Sequence, residues 1–173
     1  MRRGSIPDSA SLPAALEDIT HVIHCAGATN AQPLAQLYEV NQQGTRNLVE
    51  AINATQGRVQ RLVLLSSLAA AATTTAQKPA READLPCPVS EYGKSKLAWE
   101  QEGRERCRAQ HVILRPPAVY GPRDAEVLRL FRAVKKHLLP APPGRAPAVF
   151  ASRRPRAGRR ARGRVAAACP ATP

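Results

Sequence analysis

Apolar residues recur along the chain in two rhythms, short continuous runs and helical spacings, and their succession lays out an ordered set of elements. SLPAALED sets a serine ahead of a proline and an apolar-periodic stretch, which predicts a short helix over residues 11–18. HVIHC, closed by Ala26 and Gly27, reads as a buried parallel strand opening into a turn. Residues 31–56 then space Leu34, Leu37, Val40, Leu48, Val49 and Ile52 at a helical period broken only by Gly44, and Gly57 ends that long helix. VQRLVLL, residues 59–65, supplies a second buried strand that runs straight into Ser66 and Ser67. Past an Ala/Thr-rich loop, Ser90 is a predicted N-cap for a helix from Glu91 to about Ala109. HVILR is a third strand, stopped by Pro116 and Pro117, and residues 124–138 form one more amphipathic helix. Strands alternating with long helical connections predict an α/β fold, a doubly wound parallel sheet with helical cover on both faces.

Beyond Leu139 the pattern stops. PAPPGRAP is turn and extended-chain chemistry, and residues 151–173 are rich in Arg, Ala and Pro with no face to bury, so a disordered basic tail is expected over 141–173. The abrupt change of composition reads as a shift of reading frame. The tail also changes how the charge is understood. The chain carries 26 Lys+Arg against 13 Asp+Glu, but seven of those arginines lie in the last 23 residues, which leaves 19 basic residues against 13 acidic ones over residues 1–150. The body is mildly basic. The seven arginines suit salt-sensitive binding to a polyanion, but the tail has no aromatic residue to stack on bases, so no specific nucleic acid partner is expected.

Four scattered cysteines, Cys25, Cys87, Cys107 and Cys169, form no C-x-x-C pair, which argues against a zinc site and for a reduced, cytoplasmic protein. No run approaches the ~18 consecutive apolar residues of a membrane helix. His24 at a buried strand end reads as a core histidine, and Trp99 and Phe131 read as packing residues.

Candidate chemistry gathers at the strand ends and at the start of the fourth predicted helix. In EYGKSK, Tyr92 and Lys96 stand four apart, one turn from each other on one face. An ammonium beside a phenol of ordinary pKa ~10 stabilises the phenolate and brings its proton transfer towards neutral pH. Ser67, ending the adjacent strand, is placed to hold a substrate oxygen, whereas Ser66 reads as a residue that caps local backbone.

These residues fall in ordered motifs, HVIHCAGAT, VNQQGTRNLVEA, RLVLLSSLA, PVSEYGKSKLAWE and ILRPPAVYGPRD. In that order they resemble the extended short-chain dehydrogenase/reductases, the family of nucleotide-sugar epimerases and dehydratases, 3β-hydroxysteroid dehydrogenases and dihydroflavonol reductases. The resemblance covers about residues 4 to 140. It implies a partial Rossmann-like domain over 1–140, an NAD or NADP cofactor, a small-molecule substrate with a secondary alcohol or ketone, and a homodimer in the full-length form. It assigns Tyr92 as general acid/base, Lys96 as its partner on the nicotinamide ribose, and Ser67 as the substrate-positioning hydroxyl. Ala26, Gly27, Asn41, Pro116 and Val119 are the further cofactor-side residues it implies, with Tyr120-Gly121-Pro122 as a substrate-side loop. A polar residue that bends the helix before Gly44 is the second reading of Asn41, close behind the first. The family's G-x-x-G-x-x-G turn, which binds pyrophosphate through backbone N–H groups, is not in this sequence. Gly4-Ser5-Ile6 matches the family's third strand, with Ser5 where an adenine-contacting Asp is usual. No acidic residue follows the serine pair in SSLAAAATTT, which disfavours dehydration.

Overall fold

The computed structural model describes residues 2–72, 79–122, 124–136 and 151–152. The expected disordered tail, with its seven arginines, and part of the Ala/Thr-rich loop lie outside the described residues. Those described fall into two compact units, one ending at Pro116 and one beginning at Pro117.

The first unit is built on three parallel strands, β1 (His21–His24), β2 (Arg61–Leu65) and β3 (Gln110–Leu114), in the spatial order β1-β2-β3. Their register aligns Ile23 with Val63 and Val63 with Val112. Parallel neighbours need crossovers, and here they are helical. Between β1 and β2 run α2 (Leu34–Tyr38), a π-helical turn over Glu39–Gln43 and α3 (Gly44–Ala54); between β2 and β3 runs α4 (Glu91–Arg106). The expected α/β parallel architecture is therefore present.

The differences from the sequence reading are local. The first helix is shorter than residues 11–18: a 3₁₀ turn over Ser9–Ser11 leads into α1 (Leu12–Ala15), and the chain leaves it by Asp18 at φ 61°. Gly4–Ile6 form no strand. β1 is not a buried strand, because it is an edge among the described residues and Ile23 on its outer face is 70% exposed. The long helix is interrupted before Gly44, at the π turn centred on Asn41, where an extra residue per turn lets a polar side chain point inward without losing the helical period on either side. α4 starts where predicted: Ser90 Oγ accepts from Gly93 N at 3.0 Å.

The core lies between one face of β2 and the helices α1, α3 and α4. Leu62 and Leu64 are fully buried against Leu48, Val49, Ile52 and Trp99, with Leu12 and Leu16 closing one end. Two glycines let α4 approach closely. A Cβ on Gly103 would stand 2.2 Å from Leu64 Cδ1, and one on Gly93 would stand 2.2 Å from the backbone oxygen of Ala69. Leu64 can rotate aside whereas a backbone carbonyl cannot. Gly93→Ala is therefore expected to cost about 1–3 kcal/mol and Gly103→Ala less, as read from urea denaturation midpoints.

The second unit contains β4 (Ala118–Val119), α5 (Ala125–Lys135) and β5 (Ala151–Ser152), with β4 parallel to β5. Phe131 is 52% exposed rather than packed in a core, and it meets Tyr120 edge-on at 5.8 Å between ring centroids. Tyr120, Gly121 and Pro122 line a groove of about 430 Å³ with Leu128 and Phe131. Among the described residues no helix is long and apolar enough to cross a membrane, and no group of His, Cys, Asp or Glu could hold a metal ion. Cys25 and Cys107 are free thiols.

Candidate active site at the carboxyl edge of the sheet

The carboxyl ends of parallel strands are where an open α/β sheet offers a crevice, since backbone and side chains there are left without a next strand residue. At the end of β2, Ser66 N donates to Leu114 O at 2.8 Å and Leu68 N to Pro116 O at 3.0 Å. These bonds fix the Ser66–Ser67 segment beside the Pro116 end of β3. Ser67 then caps a 3₁₀ turn over Leu68–Ala70, with its Oγ accepting from Ala69 N at 3.1 Å. Among the described residues nothing accepts its hydroxyl hydrogen. Ser66 is different: buried, it donates to Glu100 Oε1 at 2.6 Å. It is held by a side chain, not by the local backbone bond that the sequence reading gave it.

Lys96 comes to the same strand end from α4. Its Nζ donates to Leu65 O at 2.8 Å and sits 2.7 Å from the centroid of the Trp99 ring. Burial drops its pKa from 10.5 to about 7, against the pull of Glu100 and Cys25, so the amine exchanges protons near neutrality. Tyr92 is half-buried one turn earlier on α4, and the Gly93 contact seats that turn on the Ser67–Ala70 segment. Lys96 thus reaches the strand end that leads into Ser67. Tyr92 stands on the adjoining turn, with neither of them hydrogen-bonded to it.

A buried polar chain forms the wall behind. Thr45 Oγ1 donates to Asn41 O at 2.6 Å, so at 3.0 Å from His24 Nε2 it acts as acceptor and places the imidazole proton on Nε2. Asn41 is fully buried: its Oδ1 accepts from Ala28 N at 2.8 Å, and its Nδ2 donates to Ala28 O and to Ser95 Oγ, each at 2.9 Å. Of the two sequence readings of Asn41, these bonds match the helix-bending one, since its amide ties the π turn to the loop after β1 and to α4. Gly27 is exposed on one side, and on the other a Cβ there would lie 2.4 Å from Trp99 Cζ3. Ala26 is exposed beside it, Pro116 is half-buried, and Val119 is 55% exposed on β4 of the second unit.

His24 packs on Trp99, 4.4 Å between centroids, and its pKa falls from 6.5 to about 3, first through burial and then through Lys96. The unfolded chain therefore binds a proton that the folded one refuses between those values. Stability is expected to rise with pH from about 3 to about 6.5, by up to ~1.4 kcal/mol per unit from this group, and to be lost as pH falls through that window. Thermal melts across this range check it, and His24→Gln should flatten the slope.

The residue the sequence reading missed is Glu100, fully buried and bonded by Ser66, Arg115 and Arg104. The available signal was a carboxylate one turn after Lys96, on the helix face that also carries Trp99.

Residues 1–146 match the model of the NAD dependent epimerase/dehydratase family. The chain belongs to that family. It is 40% identical over 119 residues to a ceramide reductase of Caulobacter vibrioides, covering 68% of this chain and 32% of the relative. The chain thus spans about a third of the length of the curated relatives it matches. Among solved structures, the Bordetella bronchiseptica enzyme WbmG, crystallised with NAD and UDP, is 28% identical at a TM-score of 0.62, over 78% of this chain and 44% of that one. MoeE5 in complex with UDP-glucuronic acid and NAD is 30% identical at a TM-score of 0.61, over 76% and 46% respectively. RMD from Pseudomonas aeruginosa, complexed with NADPH, is 26% identical at a TM-score of 0.64, over 80% and 51%. The family is NAD-dependent, and these similar structures hold NAD or NADPH.

Proposed function

We propose that this chain carries the catalytic part of an NAD(P)-dependent oxidoreductase or epimerase acting on a secondary alcohol or ketone. Tyr92 is the general acid/base, Lys96 its cationic partner and Ser67 the hydroxyl that positions the substrate oxygen. The observation that supports this reading most directly is the Lys96–Leu65 bond, which brings a buried amine of near-neutral pKa to the strand end that leads into Ser67.

The donor set fits the nicotinamide ribose. Lys96 Nζ has three hydrogens and one backbone acceptor at Leu65 O, so it has donors left for sugar hydroxyls. Ala26 and Gly27 expose small residues at the end of β1, where a flat ring can approach the backbone. Pro116 is assigned with them to the cofactor side, and Asn41 is assigned there too, bracing the loop after β1 from behind. When bound, the dinucleotide supplies a hydride acceptor or donor. The chain's own residues manage the proton: Ser67 donates to the substrate oxygen, Tyr92 transfers the proton to or from it, and Lys96 stabilises the phenolate and restores the proton at neutral pH.

The substrate oxygen is carried by a ketone or secondary alcohol in either of two settings. A ceramide reductase is the 40% identical relative, and UDP or a UDP-sugar occupies the related structures. The test is deuterium transfer from C4-labelled NADH and NADPH to a panel of keto-lipids and keto-nucleotide sugars, followed by mass spectrometry. Label in a product alcohol, from either cofactor, supports the reading. A chain that binds nicotinamide yet transfers no label to any carbonyl overturns it.

A further inference from the structure

Glu100 has no part in the proton transfer above, yet three side chains bind its carboxylate. It is fully buried in α4, four residues after Lys96 and so on the same helix face. Its Oε1 accepts from Ser66 Oγ at 2.6 Å and from Arg115 Nε at 2.7 Å. Its Oε2 accepts from Arg115 at 2.7 Å and from Arg104 at 3.0 Å. One side chain thereby joins the end of β2, the residue after β3 and two turns of α4. The paired guanidiniums outnumber it, so the cluster is one positive charge in excess and Glu100 is its only anion.

We infer that Glu100 is a positioning residue for the candidate site: it draws the Ser66 hydroxyl into the core, leaving Ser67 as the open hydroxyl of the pair, and offsets the arginine charge on the helix face that holds Lys96. The inference rests on the Ser67–Tyr92–Lys96 reading and adds to it the residue that sets two of the three. Cation clusters near an ammonium lower its affinity for protons, and a buried anion on the same face opposes them. The groups around Lys96 are His24, held neutral, and Cys25 from the β1 end, Leu65 O from β2, and Trp99 and Glu100 from α4. Of these, Glu100 is the carboxylate. Arg104 and Arg115 act through it.

The experiment is an NMR titration of ¹³Cε-labelled lysines in the intact chain, with Lys96→Met to assign the Lys96 signal. Glu100→Gln, which keeps the size and an acceptor oxygen, is expected to lower the Lys96 midpoint by about one pH unit. Lys94, exposed on the same helix and paired with Glu91 at 2.7 Å, should not move. Glu100→Asp, which keeps the charge, should hold the Lys96 midpoint near its native position even if the melting temperature falls. A purely structural Glu100 would lower the melting temperature in both variants and leave both midpoints in place, and that result overturns the inference. Where Glu100→Gln fails to fold, Arg104→Gln decides the matter: removing one guanidinium should raise the Lys96 midpoint, and no change counts against the inference. The function reading is tested separately by nicotinamide binding, so a moved midpoint without binding retains the role of Glu100 and rejects the reading, and the converse is equally distinguishable.

Discussion

Tyr92→Phe is expected to lower turnover by about 10²–10⁴-fold, the range typical of losing a positioned general acid/base, while changing stability by less than about 0.5 kcal/mol. The asymmetry follows from how the residue is held. Tyr92 is half-buried, its backbone carbonyl accepts from Ser95 Oγ at 2.8 Å, and no described side chain hydrogen-bonds its hydroxyl. The ring can therefore stay in place when the oxygen is removed. Single-turnover reduction of a carbonyl substrate, read at the nicotinamide absorbance, gives the rate, and a thermal melt gives the stability. Equal losses in both would assign Tyr92 to the fold.

Trp99→Ala is expected to have the opposite profile, a loss of about 3–5 kcal/mol of stability measured by urea denaturation. Trp99 is fully buried in the core, stacks on His24, lies under Lys96 and fills the space that a side chain at Gly27 would need. Its removal would hollow the wall of the candidate site and let water reach both titrating groups, returning the His24 and Lys96 pKa values towards 6.5 and 10.5. Trp99→Phe should cost much less than the alanine variant. Nε1 of Trp99 is buried without a hydrogen-bond partner, and an unsatisfied buried donor carries a penalty of about 1–3 kcal/mol that phenylalanine does not.

The contrast between these two residues marks what was legible in the sequence. Strand ends, the Ser90 cap and the Tyr92–Lys96 spacing are local patterns, and each lies where the sequence reading put it within a residue or two. The π turn is invisible to periodicity, because α2 and α3 keep their apolar spacing on either side of it. It is the Asn41 bonds to Ala28 and Ser95, distant in sequence, that turn its side chain inward. Ile23 sits in a short β-favouring run, HVIHC, that a buried strand would also show, so its exposure on an edge could not be read from the run. Glu100 and Glu102 escaped for a related reason. A helix rich in Lys, Glu and Arg reads as solvated, whereas α4 buries both carboxylates, Glu102 against Arg46 and Arg106 at 2.9 and 2.8 Å. The i,i+4 partners Arg104 and Arg106 are visible in the sequence, but the partners from other elements, Arg46, Ser66 and Arg115, leave no mark in a one-dimensional pattern. Trp99 was legible as packing, but its place beneath Lys96 and Gly27 was not.

The central claim is that the carboxyl edge around Lys96 accepts the nicotinamide riboside end of the cofactor. Saturation-transfer difference NMR with nicotinamide mononucleotide tests it most directly, because that probe lacks the adenosine half that a G-x-x-G-x-x-G turn helps to bind. The account predicts transfer to the nicotinamide and ribose protons with the native chain and its loss with Lys96→Met. Transfer that is absent in the native chain, or unchanged by Lys96→Met, would contradict it.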